Sequence, residues 1–197
     1  FGKDHKPIAK SSVGAMKVRS LSWAGDQALL VRHSQTVNLG MDFTADRAEL
    51  SGVIVLPLSG EKPWSVFEKN QNLAFAVFDT YGLVQHDGDW FGYFGGLTLT
   101  VDKTGTRLPS PCCHPDLYEV NLRTHATRRI APRPGEDADR DWLVDGAGKV
   151  VAMLDRVHQS GKWTLANRQR ATLARGVSSL GKVQIIGFAP DDASIIY

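Results

Sequence analysis

The sequence predicts an all-β fold made of antiparallel four-stranded units repeated along the chain. Three observations carry the prediction. First, the stretch from Asp116 to Ile130 reads as two short strands around a tight turn at 123–126. Leu117, Glu119 and Asn121 alternate there with Tyr118, Val120 and Leu122, the period of two that a pleated strand imposes. Second, this hairpin recurs. The stretch from Val53 to Val66 falls on the same template at an offset of 64 positions, which lays Leu56 on Val120, Leu58 on Leu122 and Val66 on Ile130. Trp163 to Leu173 is a third, looser copy. Third, each copy follows a strand, a Gly/Asp turn and a second strand, so that the full repeat has four strands.

Taken in order, the chain opens with a polar arm or connection over residues 1–16, rich in Lys, Ser and Gly. Val18 to Trp23, the Gly25-Asp26 turn and Ala28 to Val31 make the first strand pair, continuing extended to Gly40. Met41 to Leu50, with its Ala, Asp, Arg and Glu, suits a turn or two of helix or a loop insertion, and the first hairpin copy follows. Leu73 to Asp79 is almost continuously apolar and predicts a strand buried on both faces. Leu83 to Phe94 is strand, Asp87-Gly88 turn, strand, and Asp-Gly is among the strongest short hairpin signals. Leu97 to Val101 extends it, and residues 102–115 form a loop insertion before the second hairpin. Pro132 to Asp139 breaks the pattern. Trp142 to Val144, the Asp-Gly-Ala-Gly turn and Lys149 to Leu154 then open a third unit, which Trp163 to Leu173 closes. Val183 to Tyr197 begins a fourth, with Phe188-Ala-Pro-Asp-Asp192 at its turn.

Repeats of roughly 45–65 residues with four antiparallel strands each are the mark of β-propeller blades. The blades fall at about 17–68, 69–133, 140–182 and, in part, 183–197, with Trp23, Phe75, Phe78, Trp142 and Phe188 expected to fill the layers between them. A β-sandwich also uses many short strands but does not ask for internal repeats. Three blades and the start of another only border on the roughly four to eight that close a ring. The expectation is a partial propeller, a piece of a longer chain, with open edges that invite self-association.

Composition excludes other classes. With 42% apolar and 22% charged residues the chain has the make-up of an ordinary globular domain. A net charge of +2 and scattered basic residues argue against a nucleic-acid partner. No apolar run approaches the ~20 residues of a membrane span. No signal peptide is visible, and a start at Phe1 rather than Met leaves room for an earlier segment that has been removed.

No catalytic, cofactor-binding or metal-binding set can be assembled from sequence. Gly176-Val-Ser-Ser-Leu-Gly181 is the nearest approach to a nucleophile elbow, but Leu180 stands where the second Gly belongs, which leaves Ser178 a loop serine. Cys112, Cys113, His114 and Asp116 are metal-ligand types, yet adjacent cysteines have the wrong spacing for a zinc knuckle and would strain a mutual disulfide. Two free thiols in a loop is the simpler reading. His86-Asp87 sits at a turn that explains the Asp, while His33 and His158 stand isolated. Asp137, Asp139 and Asp141 lack the Gly and terminal Glu of a calcium loop and read as solvated linker. Gly92, Gly95 and Gly96 precede no helix signal, so they make no phosphate cradle.

Two motifs carry a resemblance. Phe188-Ala-Pro-Asp-Asp-Ala-Ser-Ile-Ile-Tyr197 resembles the strand, Pro-Asp-Gly, strand element of propeller blades in the prolyl oligopeptidase (S9) family of serine peptidases. Asp116 to Ile130 resembles the Leu-Tyr-x-Val-Asp-Leu-x-Thr-Gly hairpin that follows it, with His125 where the family has Gly and Asp192 where the blade has its other Gly. The resemblance spans the chain from about Lys17 onward. It implies a non-catalytic propeller that caps a C-terminal α/β-hydrolase domain of the same protein and gates the entry of a peptide substrate, without a cofactor. The sequence leaves the compartment open; since bacterial relatives of that family are often exported, the resemblance slightly favours a periplasmic or secreted protein over a cytoplasmic one.

Overall fold

The computed structural model of the chain describes residues 14, 16–38, 46–101, 103, 107–109, 114–135, 137–178, 183–191 and 193–197. Among them every regular element is a β-strand, and no helix is long and apolar enough to cross a membrane. Strands β1 (Lys17–Ala24), β2 (Ala28–Asn38), β3 (Arg47–Pro57) and β4 (Trp64–Ser65) form a first four-stranded sheet in chain order. β5 (Thr80–His86) and β6 (Asp89–Gly96) begin the second; a separate hairpin of β7 (Leu99–Val101) and β8 (Arg107–Pro109) intervenes before β9 (Asp116–Asn121) and β10 (Thr127–Ala131) complete it. The third sheet is β11 (Ala138–Val144), β12 (Val150–Val157), β13 (Lys162–Asn167) and β14 (Thr172–Val177). A last pair, β15 (Gly187–Phe188) and β16 (Ile195–Ile196), follows. All pairings are antiparallel between neighbours in the repeat, and the three hairpin copies read from sequence supply the third and fourth strands of the three sheets.

Turn chemistry fixes these hairpins. Asp87 and Gly88 both adopt positive φ (52° and 81°), the combination a two-residue turn needs to match strand twist. His125, in the place of a glycine, also has positive φ (64°) and stacks on Trp64 of the first sheet, ring centroids 3.9 Å apart. Its turn is held further by Asn121 Oδ1, which accepts from the amides of Arg123 and Thr124.

The sheets stack in series, with one apolar layer between each consecutive pair. Leu30, Val53, Val55 and Trp64 of the first sheet meet Phe94, Tyr118 and Val120 of the second. From the opposite face of the second, Val84, Tyr93 and Leu117 meet Trp142 and Val144 of the third. Ala152, Leu154 and Leu165 of the third then receive Val183, Ile185, Phe188 and Ile195. The alternation read along β9 therefore points to two different neighbours: Tyr118 and Val120 one way, Leu117 the other. Three sheets in series are not a two-sheet sandwich.

Several expectations are corrected. Leu73 to Asp79 is not a strand. Its amides donate to scattered acceptors, among them Ala74 to Leu97 O, Val77 to Ser51 O and Phe78 to Gly95 O, so no continuous ladder forms. The buried Leu73, Ala76 and Val77 anchor this connection instead. Of Met41 to Leu50, expected as helix or loop insertion, Arg47 to Leu50 belong to β3 and pair with β2 as far as Asn38↔Arg47, while residues 41–45 lie outside the described residues. Cross-strand ion pairs from Lys17 and Arg19 to Glu49 there offset the helical leaning of Ala48 and Glu49. Trp142 and Phe188 fill inter-sheet layers as expected, but Trp23, Phe75 and Phe78 are exposed at 57%, 62% and 38%. Within 102–115 the residues Arg107–Pro109 are a strand rather than loop. Cys112 and Cys113 lie outside the described residues.

Candidate functional site

Neighbouring sheets touch through their first strands: β1 lies against β5, and β5 against β11. Convergence of first strands puts the residues flanking β5 and β11 around a common opening of about 450 Å³. Asp79, Thr80 and Tyr81 line it from the second sheet, Asp141, Trp142 and Arg156 from the third, and Gln184 to Ile186 from the segment ahead of β15. The apolar wall is the edge-on pair of Tyr81 and Trp142, 5.1 Å between centroids.

The polar groups come as opposed charges. Arg156, on β12, forks onto Asp141 through Nη1 (2.6 Å) and Nη2 (3.3 Å) and donates a further bond to Val183 O (2.9 Å). Arg32, on β2, reaches Asp79 at 3.2 Å, and Asp79 also accepts from the Thr80 amide. Burial, reinforced by the Asp79 and Asp141 carboxylates, pushes the Tyr81 phenol far above its usual range, so it stays a neutral donor and acceptor. An opening walled by the Asp141–Arg156 pair, the Asp79 carboxylate, a neutral phenol and an indole offers both donors and acceptors to an extended polar ligand. It presents no activated nucleophile among the described residues.

Two further polar clusters lie inside the stack, around Glu119 on the face of the second sheet toward the third and around Asp116 and Tyr118 on the other face. Glu119, 7% exposed, accepts from Tyr93 Oη (2.8 Å) and from Arg128 (2.8 Å). Burial and this carboxylate raise the Tyr93 phenol well above its usual value. Asp116, 2% exposed, accepts from Thr98 Oγ1 and from the Arg133 amide, and Thr98 in turn meets Tyr118 Oη. With their oxygens satisfied, these carboxylates hold strands together and are poorly placed to react.

The residues weighed in the sequence scatter. Ser178 follows β14, its amide bonded to Gly161 O. His86 stacks on Phe91 at 3.8 Å and stands 3.4 Å from Asp87. His33 is buried over Gly52, where a Cβ would come within 2.7 Å of its Nε2, and burial pulls its pKa down. Gly92 and Gly96 lie in β6 beneath the rings of Phe94 and Phe67, a packing role. Asp139 and Asp141 belong to β11 rather than to a linker, and His158 is not isolated: its Nε2 is 3.5 Å from Asp139. Asp79, Tyr81 and Arg156, which line the opening, carry no local sequence signal. They come together only because sheets converge.

Fold and opening thus define an all-β protein of serially stacked, four-stranded antiparallel sheets with a polar mouth at their converging first strands. Among known proteins, no family model, no curated protein and no solved structure matches the chain.

Proposed function

We propose that the stacked sheets are blades of a β-propeller. The chain is then the non-catalytic propeller region of a serine peptidase like those of the prolyl oligopeptidase family, capping an α/β-hydrolase domain and gating peptide access to it. One observation carries the reading: the first strands of three successive sheets lie side by side, β1 against β5 and β5 against β11, and β5 and β11 line one opening, as the inner strands of blades do around an axis. The opening suits a peptide. Asp79 and Asp141 can accept from backbone N–H groups, while Arg156 and Tyr81 can donate to carbonyls. The exposed Leu21 and Trp23 on the first sheet then mark where a further blade, or a second copy, stacks.

The test is intact-mass measurement of the native gene product from source cells, with fluorophosphonate labelling. The expected result is a labelled protein several-fold heavier than 21.6 kDa. An unlabelled product near that mass would sink the peptidase reading and leave a free-standing protein- or peptide-binding module. Binding of short peptides should then still weaken on Asp141→Asn.

A further inference from the structure

We propose that His114, Asp139 and His158 form a site for one first-row divalent metal ion, Zn²⁺ foremost, that pins the second sheet to the third. The three residues are separated by 25 and 19 positions in the chain, and the stack brings them together. His114 lies two residues ahead of β9 in the second sheet; Asp139 stands near the start of β11, and His158 just past the end of β12. The Ala138↔Val157 and Asp139↔Arg156 register sets the last two side by side, and the His158 amide donates to Asp137 O at 3.0 Å, which fixes the backbone there.

The distances fit a shared ion better than they fit hydrogen bonds. His114 Nδ1 is 3.6 Å and His158 Nε2 3.5 Å from the same oxygen, Asp139 Oδ1. Charge-assisted N–H···O bonds close to roughly 2.7–2.9 Å, so neither imidazole is bonded to the carboxylate. Zinc holds nitrogen and carboxylate oxygen at about 2.0–2.2 Å in a tetrahedral shell, which puts neighbouring ligand atoms about 3.3–3.5 Å apart. Two edges of that tetrahedron are therefore nearly in place, and the three candidate ligand atoms all lie within 4.8 Å of one another.

A second observation is independent of the spacing. His114 Nδ1 is buried and has no hydrogen-bond partner among the described residues, although its side chain is only 13% exposed. Buried polar atoms are nearly always satisfied, and this one faces the carboxylate and the second imidazole. The positive group nearby, Arg156, is already engaged by Asp141 and Val183 O, so it leaves the charge of Asp139 unspent. Two imidazoles and one carboxylate suit zinc and its first-row neighbours and not calcium or magnesium, which want oxygen shells. Three protein ligands leave a fourth position open, and a cavity of about 190 Å³ lined by Asp139, His158, Trp163 and Val183 adjoins it.

The test strips the chain of metal and titrates Zn²⁺ against a chromophoric chelator, with Co²⁺ absorption reporting geometry. One equivalent should bind, with the intense visible bands of tetrahedral Co²⁺. Asp139→Asn and His158→Asn should each weaken binding by more than the ~10–100-fold that loss of an outer-shell partner costs. His158 is half-exposed at a strand end, so His158→Asn is the variant expected to keep its fold, checked by circular dichroism. A Cys112→Ser/Cys113→Ser double variant should bind as well as the parent. Binding that survives both Asp139→Asn and His158→Asn, binding that disappears with the cysteines, or no binding by the parent would each overturn the proposal.

Discussion

Strands β9 and β1 differ sharply in burial although both carry apolar residues in a two-residue alternation. All six residues of β9 are buried, while seven of the eight in β1 are exposed. The second sheet has a neighbour on each face, so even Glu119 and Asn121 are enclosed and must find partners. Among the described residues the first sheet meets a neighbouring sheet on one face only, and Leu21 and Trp23 are 60% and 57% exposed. Burial in this molecule is therefore decided by what stacks on a sheet and not by the strand's own composition.

The sharpest way to break the comparison is a matched pair of truncations. Leu117→Ala, in β9 and fully buried, should cost about 2–5 kcal/mol. Leu21→Ala, on the exposed face, should stay within about 0.5 kcal/mol. Urea unfolding followed by tryptophan fluorescence distinguishes them; equal losses would mean that β1 is covered in solution. Next comes the layer between the second and third sheets. Gly148 has φ of 74°, and a Cβ there would sit 2.1 Å from Tyr93 Oη, the hydroxyl that binds Glu119. Gly148→Ala should therefore destabilise by about 1–3 kcal/mol. Gly146→Ala, with nothing within 4 Å, is the control and should barely shift the midpoint.

Two smaller effects sharpen the exposed side. If the first sheet's bare face pairs with another copy, Trp23→Ser should lower self-association in sedimentation velocity without changing the unfolding midpoint by more than about 0.5 kcal/mol. The smallest effect is electrostatic. Hydrogen bonds from Ser34, Arg19 and Lys17 hold the Glu49 carboxyl at about 2, below its ordinary 4.5. A depressed folded-state pKa contributes stability that is present above about pH 4.5 and is lost as the pH falls toward 2. Glu49→Gln should flatten that acid limb slightly in denaturation curves recorded across the window, and an unchanged limb would show that solvent already screens the group.

How much of this was legible in the sequence depends on how local each cause is. The strand pairs at 17–31 and 83–94 and the three closing hairpins were readable because a two-residue period and Asp-Gly or Gly-Asp turns act over a few neighbours. Where a distant partner decides, the reading failed. Leu73 to Asp79 has strand composition but spends its amides on scattered partners, and Arg47 to Leu50 has helical composition but is captured by β2. The functional groups were the least legible. Asp79, Tyr81 and Arg156 meet only through convergence of sheets, and His114, Asp139 and His158 only through stacking. No spacing rule within one segment could have joined them.

Because each apolar layer is shared by two consecutive sheets, cohesion passes along the chain as a series of nearest-neighbour couplings. The second sheet cannot open without surrendering two layers at once, whereas the β15–β16 hairpin can peel away from the third sheet at the expense of one. Amide hydrogens should record this as a gradient, slowest in β6 and β9 and fastest in β15 and β16. Among these sheets the middle one would then be the last to lose its protons' protection.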